Sequence, residues 1–237
     1  MKKQRLDKYI ANQLIISRSV VRTGIFRGQA TVNGIVVRDI AFGVDADSDE
    51  VIFDGQKVGY KEYVYILMNK PKGALSAATD KSRQTVIDLV PENIKRPNLA
   101  PVGRLDKDTT GLLLITDDGV FAHNCISPKK AISKSYIAVL DGDINDDMIK
   151  SFEAGVVLAD GTQCRPATLE RISLNTARVI ITEGKYHQIK RMFGTVGLGV
   201  NELHREAIGG LRLPQSLNSG KCVEMTKEEL ETAILHK

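Results

Sequence analysis

The feature that most constrains the fold is a run of four apolar residues, Leu112 to Ile115, closed in front by Gly111 and behind by the turn signal Asp118-Gly119. A run this short and this apolar reads as a strand buried on both faces. Just before it lies a dense polar segment containing Arg104, Asp106, Lys107, Asp108, Thr109 and Thr110. A loop tied at one end to a buried strand can hold a charged side chain in fixed geometry. Asp106 therefore has two readings: a turn residue bonded to its own backbone, or a carboxylate set for chemistry.

Gly103-Arg104-Leu105-Asp106, with Thr109, Gly111 to Leu114, Thr116 and Asp118-Gly119, resembles the central motif of the pseudouridine synthases, in the branch typified by the enzymes of the small ribosomal subunit. The resemblance implies that Asp106 is the catalytic aspartate. It makes Tyr136, in Lys134-Ser135-Tyr136, the active-site tyrosine, and Lys190, in Tyr186-His187-Gln188-Ile189-Lys190-Arg191, the basic residue paired with the aspartate. On their own terms Tyr136 also reads as a core aromatic and the Lys190-Arg191 pair as surface charge.

The chemistry implied is isomerisation of uridine, in which the bond from C1′ to N1 breaks and one from C5 to C1′ forms. It has no net redox change, so no metal, nucleotide, flavin or other cofactor is expected. An ammonium beside a carboxylate favours its ionised form, so Lys190 is expected to keep Asp106 charged. Tyr136 offers a face for stacking the base and a hydroxyl to help remove the C5 proton. A target inside structured RNA must be extruded, and Arg104 is expected to fill the gap or hold phosphate.

The net charge of +4 hides where the charge lies. Residues 1–38 carry Lys2, Lys3, Arg5, Lys8, Arg18, Arg22, Arg27 and Arg38 against a single acid, Asp7, while the rest of the chain is slightly acidic. That is the footprint of a module that meets a polyanion. Leu6, Tyr9, Ile10 and Leu14 fall at helical spacing, Ser17 can cap a second helix to about Arg27, and Asn33-Gly34 closes a hairpin. Arg5 to Tyr9, Ser17-Arg18 and Val32-Asn33-Gly34 resemble the S4 RNA-binding domain over about residues 4–59, with Ile15 where that pattern often has glycine. Arg5, Lys8, Arg18, Arg22 and Arg27, with Arg104 and Arg191, are the expected RNA-binding residues. Asp45 to Glu50 reads as an acidic surface turn, since a calcium loop needs a longer ligand pattern.

Polar, glycine-containing residues 55–62 read as a linker, giving an S4-like domain at 1–59, a linker at 60–62 and a catalytic domain at 63–237. Within the latter a strand is expected from Tyr63 to Met68, a basic turn at Asn69-Lys70-Pro71-Lys72-Gly73, and a helix capped by Asp118. Further strands are expected at 133–140, 156–159, 166–172, 176–182 and 200–205, with helices at 146–154 and 187–196 and a last one behind the capping box Thr226 to Glu229. Short strands and few helices, without strict alternation, argue an α+β fold with a mainly antiparallel mixed sheet.

Cys125, Cys164 and Cys222 lie far apart, and His123, His187, His204 and His236 lack ligand spacing, so neither a disulfide framework nor a metal site is expected. No apolar run nears the ~20 residues that cross a bilayer, and the charged start is unlike a signal peptide, so a cytoplasmic protein is expected. Asp106 and Asp108 also invite a glycosidase reading, which needs a defined carboxylate separation. The resemblance implies a pseudouridine synthase acting as a monomer on 16S rRNA or a small-subunit assembly intermediate, at uridine 516. Glu183 to Phe193, Glu202 to Glu206 and Gly209-Gly210 favour that target. The alternatives are a relative acting on 23S rRNA and a non-catalytic rRNA-binding assembly factor.

Overall fold

The computed structural model describes residues 3–235; Lys2 and His236 lie outside them. The chain divides into two units, Met1–Val64 with Glu92–Pro97, and Tyr65–Pro91 with Asn98–Lys237.

In the first unit, β1 (Gln4–Arg5) leads into α1 (Leu6–Leu14) and α2 (Arg18–Phe26), followed by β2 (Ala30–Val32), β3 (Ile35–Val36), β4 (Gly43–Val44), β5 (Val51–Phe53) and β6 (Gln56–Lys57). Ser17 caps α2 by accepting the Val20 N–H, and Asn33 and Gly34 take the positive φ angles, 51° and 78°, that the hairpin turn requires. Leu6, Tyr9, Ile10, Val21 and Ile25 form the buried face of the helices. Gly24 does not shorten α2: a Cβ there would stand 2.5 Å from the Phe53 ring, so the missing side chain lets the helix lie on β5. Ile15 closes α1 in the left-handed region at φ 58°, a conformation costing a branched residue roughly 1–2 kcal/mol. The acidic segment is a hydrogen-bonded turn in which Asp49 accepts from the Asp45 N–H and the Asn33 amide.

The reading of residues 55–62 as a linker is corrected. Asp54-Gly55 is itself a hairpin turn, with φ 50° and 77°, and β6 pairs back on β5, so Val58 is buried.

The second unit is built on a nine-stranded sheet, of order β11-β12-β10-β13-β9-β7-β15, with β14 on β13 and β8 on β9. Its strands are β7 (Tyr65–Lys70), β8 (Ala100–Pro101), β9 (Thr110–Thr116), β10 (Lys134–Leu140), β11 (Thr168–Arg171), β12 (Thr176–Ile181), β13 (Val200–Ile208), β14 (Leu211–Arg212) and β15 (Cys222–Met225). The helices are α3 (Gly119–Ile126), α4 (Asp146–Ala154), α5 (Gln188–Thr195) and α6 (Lys227–Leu235). Every pairing is antiparallel except β13 with β9. No strand forms over 156–159, where only an isolated bridge joins Val157 to Gln163; apolar content there fills the core through Val156 and Leu158.

Leu112 to Ile115 are at most 1% exposed. Leu112 and Leu114 join Phe121 of α3 and Leu230 of α6 in one cluster, and the pleat sends Leu113 and Ile115 to the other face. Each contributes about 1.5–3 kcal/mol by burial, which anchors β9 as the central strand on which the preceding loop hangs. Among the described residues no helix is long and apolar enough to cross a membrane.

Candidate active site

The loop from Val102 to Thr109 is tied down before it reaches β9. Ser76 Oγ donates to the Leu105 carbonyl and accepts the Leu105 N–H, at 2.9 and 3.1 Å. The Gly73 N–H donates to the Lys107 carbonyl. Lys70, expected in an open basic turn, is instead the last residue of β7 and fully buried. Its Nζ donates to the carbonyls of Pro71, Lys107 and Thr109 at 3.1, 3.2 and 2.9 Å. Burial pushes the Lys70 ammonium down to about 8, against the opposing pull of Asp108 and Asp106. A charge sealed under the loop, bonded to carbonyls on both sides, fixes the loop's path.

So held, the loop presents Asp106 to a cleft of about 450 Å³ lined also by Arg104, Tyr136, His187, Lys190 and Leu203. The three residues assigned by resemblance, brought from positions 106, 136 and 190, thus share one cleft. Tyr136 comes from β10, opposite Arg205 of β13 and Val179 of β12. Lys190 comes from α5, seated by Ile189, Met192 and Phe193, the last packed on Phe152 with ring centres 4.9 Å apart. Buried Gln188 locks the start of α5: its amide donates to Glu183 and accepts the Lys185 N–H.

The expected pairing of Lys190 differs in detail. Lys190 Nζ donates to Asp108 Oδ2 at 2.6 Å and stands 4.0 Å from Asp106 Oδ2. That hydrogen bond holds the Asp108 carboxyl below the usual carboxylate range. Asp108, which also accepts a backbone N–H of its own, fills the turn role that had been one reading of Asp106, and two carboxylates two residues apart compete for one ammonium. Being held by the lysine, Asp108 gives the glycosidase reading no free second carboxylate.

Three neighbours escaped the sequence reading. His187 Nε2 lies 3.4 Å from Asp106 Oδ1, its ring stacked on Tyr186 with centres 3.9 Å apart; it stands at the N-cap of α5 in the left-handed region, φ 46°, a conformation with no signal in the sequence. Arg205 is 2% exposed, donates from Nε to the Leu112 carbonyl at 2.8 Å, and sets its guanidinium 6.0 Å from the Tyr136 ring centre. Its signal was parity, for Leu203, Arg205 and Ala207 all point inward from β13. Lys70 had no local signal.

The expected RNA-binding residues fall in several places. Arg5, Arg18 and Arg22 converge on the fully buried carboxylate of Asp7 at 3.2, 2.8 and 3.0 Å, each remaining about half exposed. Burial alone would raise the Asp7 carboxyl, but its bonds to Arg5, Arg22 and Arg18 prevail and bring it down to about 2. Lys8, Arg27 and Arg104 are exposed, and Arg191 is paired with Asp160. Among the described residues no group of three His, Cys, Asp or Glu side chains is arranged to hold a metal.

The chain is similar to known proteins over nearly its whole length. The family model described as RNA pseudouridylate synthase matches residues 64–195, and the S4 domain model matches residues 4–51. The uncharacterized RNA pseudouridine synthase YtzG of Bacillus subtilis (strain 168) is 40% identical over 95% of this chain and 96% of its own. The ribosomal small subunit pseudouridine synthase A of Escherichia coli (strain K12) is 39% identical over 97% of this chain and 100% of its own. A crystal structure of a pseudouridylate synthase superposes with a TM-score of 0.68 at 32% identity, covering 97% of this chain and 99% of the other.

Proposed function

This chain belongs to the RNA pseudouridylate synthase family, and we propose that it isomerises a single uridine of 16S rRNA, uridine 516, with Asp106, Tyr136 and Lys190 as its catalytic residues. The observation that carries the assignment is the shared cleft: a carboxylate, a phenol and an ammonium from three distant segments line one cavity. In the reaction a proton leaves C5 and one is placed on N1, so acid and base groups must face the same base. The Asp106 carboxylate is the group that reacts at the nucleotide. The flat, buried Tyr136 ring is the surface on which uracil stacks, its hydroxyl within reach of the departing proton. Lys190, bonded to Asp108 and 4.0 Å from Asp106, places a positive charge beside the reacting carboxylate.

The similarity to the small-subunit enzyme over nearly the full length of both chains supports the 16S target. Domain limits of 1–59 and 63–237, action as a monomer on rRNA or an assembly intermediate, a cytoplasmic location and independence of cofactors belong to the same proposal. Mapping of pseudouridine in rRNA from cells with and without the protein tests it. One small-subunit uridine is expected to lose its modification when the protein is absent; loss confined to large-subunit rRNA overturns the target.

A further inference from the structure

A second concavity, of about 680 Å³, adjoins the Asp106 cleft and shares Arg104, Tyr136 and Gly184 with it. Arg205, Lys134 and Cys125 also line it. Arg205 is 2% exposed, and its Nη2 has no hydrogen-bond partner among the described residues. A buried charged donor left unsatisfied is costly, and a fold keeps one where a ligand completes it. Among the described residues Lys134 donates from Nζ to the Ile132 carbonyl alone; burial first, and then the charge of Arg205, push its ammonium below the usual lysine range.

No carboxylate in the groove offsets this charge. Glu183 is committed elsewhere: it accepts the Arg165 N–H and the Gln188 amide on one oxygen and the Lys185 ammonium on the other. The Cys125 thiol is pushed up by burial to about 11 and stays neutral. The groove is therefore a concave, partly dry site with two cations and one guanidinium nitrogen, Arg205 Nη2, whose N–H groups are unpaired.

We propose that this groove is a phosphate subsite, in which Arg205 Nη2 and Lys134 Nζ hold the phosphodiester next to the nucleotide seated against Tyr136. The inference rests on reading the Asp106 cleft as the isomerisation site. A phosphodiester has two non-bridging oxygens, one for each cation, and its charge relieves the repulsion between them. Because Tyr136 lines both concavities, a strand whose base lies on its ring passes its neighbouring linkage over Arg205. The subsite fixes the register of the RNA and carries no sequence information of its own.

The test uses the full-length Asp106→Asn protein, which holds RNA unreacted, and a small-subunit rRNA fragment containing the proposed uridine. The fragment is made unmodified or with one neutral methylphosphonate linkage on either side of that uridine. Lys134→Met in this background keeps the apolar stem and removes the charge. It is expected to weaken binding about tenfold, as for loss of one charge-assisted hydrogen bond, and to reduce the slope of log K against log salt by about 0.7 to 0.9. One of the two methylphosphonates should weaken binding about tenfold with Lys134 present and less than twofold without it. Arg205→Lys, which keeps the charge but shortens the reach, should bind the neutral linkage and the natural one nearly alike.

An unchanged salt slope, with losses that multiply independently at both linkages, overturns the subsite. Product formation by wild-type protein on the unmodified fragment is scored separately. Coupling without product would leave the subsite and remove the isomerase assignment, product without coupling would do the reverse, and a fragment that fails to bind overturns both.

Discussion

Gly111 lies against the backbone of Arg205 so closely that a Cβ on it would stand 2.3 Å from the Arg205 carbonyl oxygen and 2.8 Å from its nitrogen. Gly111 also has φ 103°, outside the range of other residues. The contact falls where β9 and β13 run parallel, with Arg205 paired to Gly111 on one side and to Tyr136 on the other. It therefore sets how far the Asp106 loop stands from the Tyr136 ring. Neither obstacle is a side chain that can swing away, so Gly111→Ala is expected to cost about 3 kcal/mol or more. A urea unfolding midpoint equal to that of the wild type would contradict the account.

Lys190 bonds Asp108 and only approaches Asp106, and the lysine and Asp108 should respond differently when altered. Lys190→Met is expected to lower single-turnover isomerisation by about 10²-fold, the scale of losing one fixed charge at a reacting centre. Asp108→Asn frees the ammonium to move toward Asp106 and should cost no more than about fivefold. Equal losses would show that the lysine acts through Asp108.

The three arginines gathered on Asp7 link charge to acid stability. The Asp7 carboxyl ionises at about 2 in the folded chain, against a reference of 3.8. The folded state therefore binds fewer protons in that interval, and the stabilisation, complete above about pH 4, is lost as pH falls toward 2. Protection of the α1 amides from hydrogen exchange, referred to the intrinsic rate at each pH, should fall over that window. Asp7→Asn should lower stability by about 2 kcal/mol at neutral pH, the half-exposed arginines recovering part of their hydration, and should flatten the acid dependence. An unchanged acid profile would rule out Asp7 as its source.

Lys70 gives the same sign of slope, in the alkaline range. Its ammonium ionises at about 8 in the folded chain, against 10.5 as reference, so between those values the unfolded chain binds more protons and this group's contribution to stability rises with pH. Over the same interval the loop loses one N–H donor and the charge beneath Asp106. Lys70→Met should remove that rise and lower turnover about tenfold through misplacement of the loop, with RNA affinity within about twofold. Turnover equal to wild type would mean that the loop needs no such tether.

What the sequence revealed was local. Ser17, Asp118 and Thr226 stand where the helices begin, and each accepts a backbone N–H at the start of its helix. The β9 strand followed from four adjacent apolar residues, and the first hairpin from Asn33-Gly34. Asp54-Gly55 carried the same turn signal but sat in a polar stretch that looked like a linker. Lys70 was illegible because its partners are carbonyls, two of them 37 and 39 residues away, and carbonyls leave no mark in sequence. Asp7 read as a minor acid in a basic segment because convergence of Arg5, Arg18 and Arg22 depends on how α1 packs on α2. Which carboxylate takes the Lys190 hydrogen bond is a matter of loop path, which the spacing of Asp106 and Asp108 leaves open.

The central claim is that one carboxylate, presented by a tethered loop to a cleft shared with Tyr136 and Lys190, carries out the isomerisation. Asp106→Asn removes the negative charge and nearly keeps the shape, and the decisive measurement is pseudouridine formed in the rRNA fragment under single-turnover conditions, with binding followed in parallel. The account predicts no detectable product while RNA affinity stays within a few-fold of wild type. Product formed at the wild-type rate would contradict it.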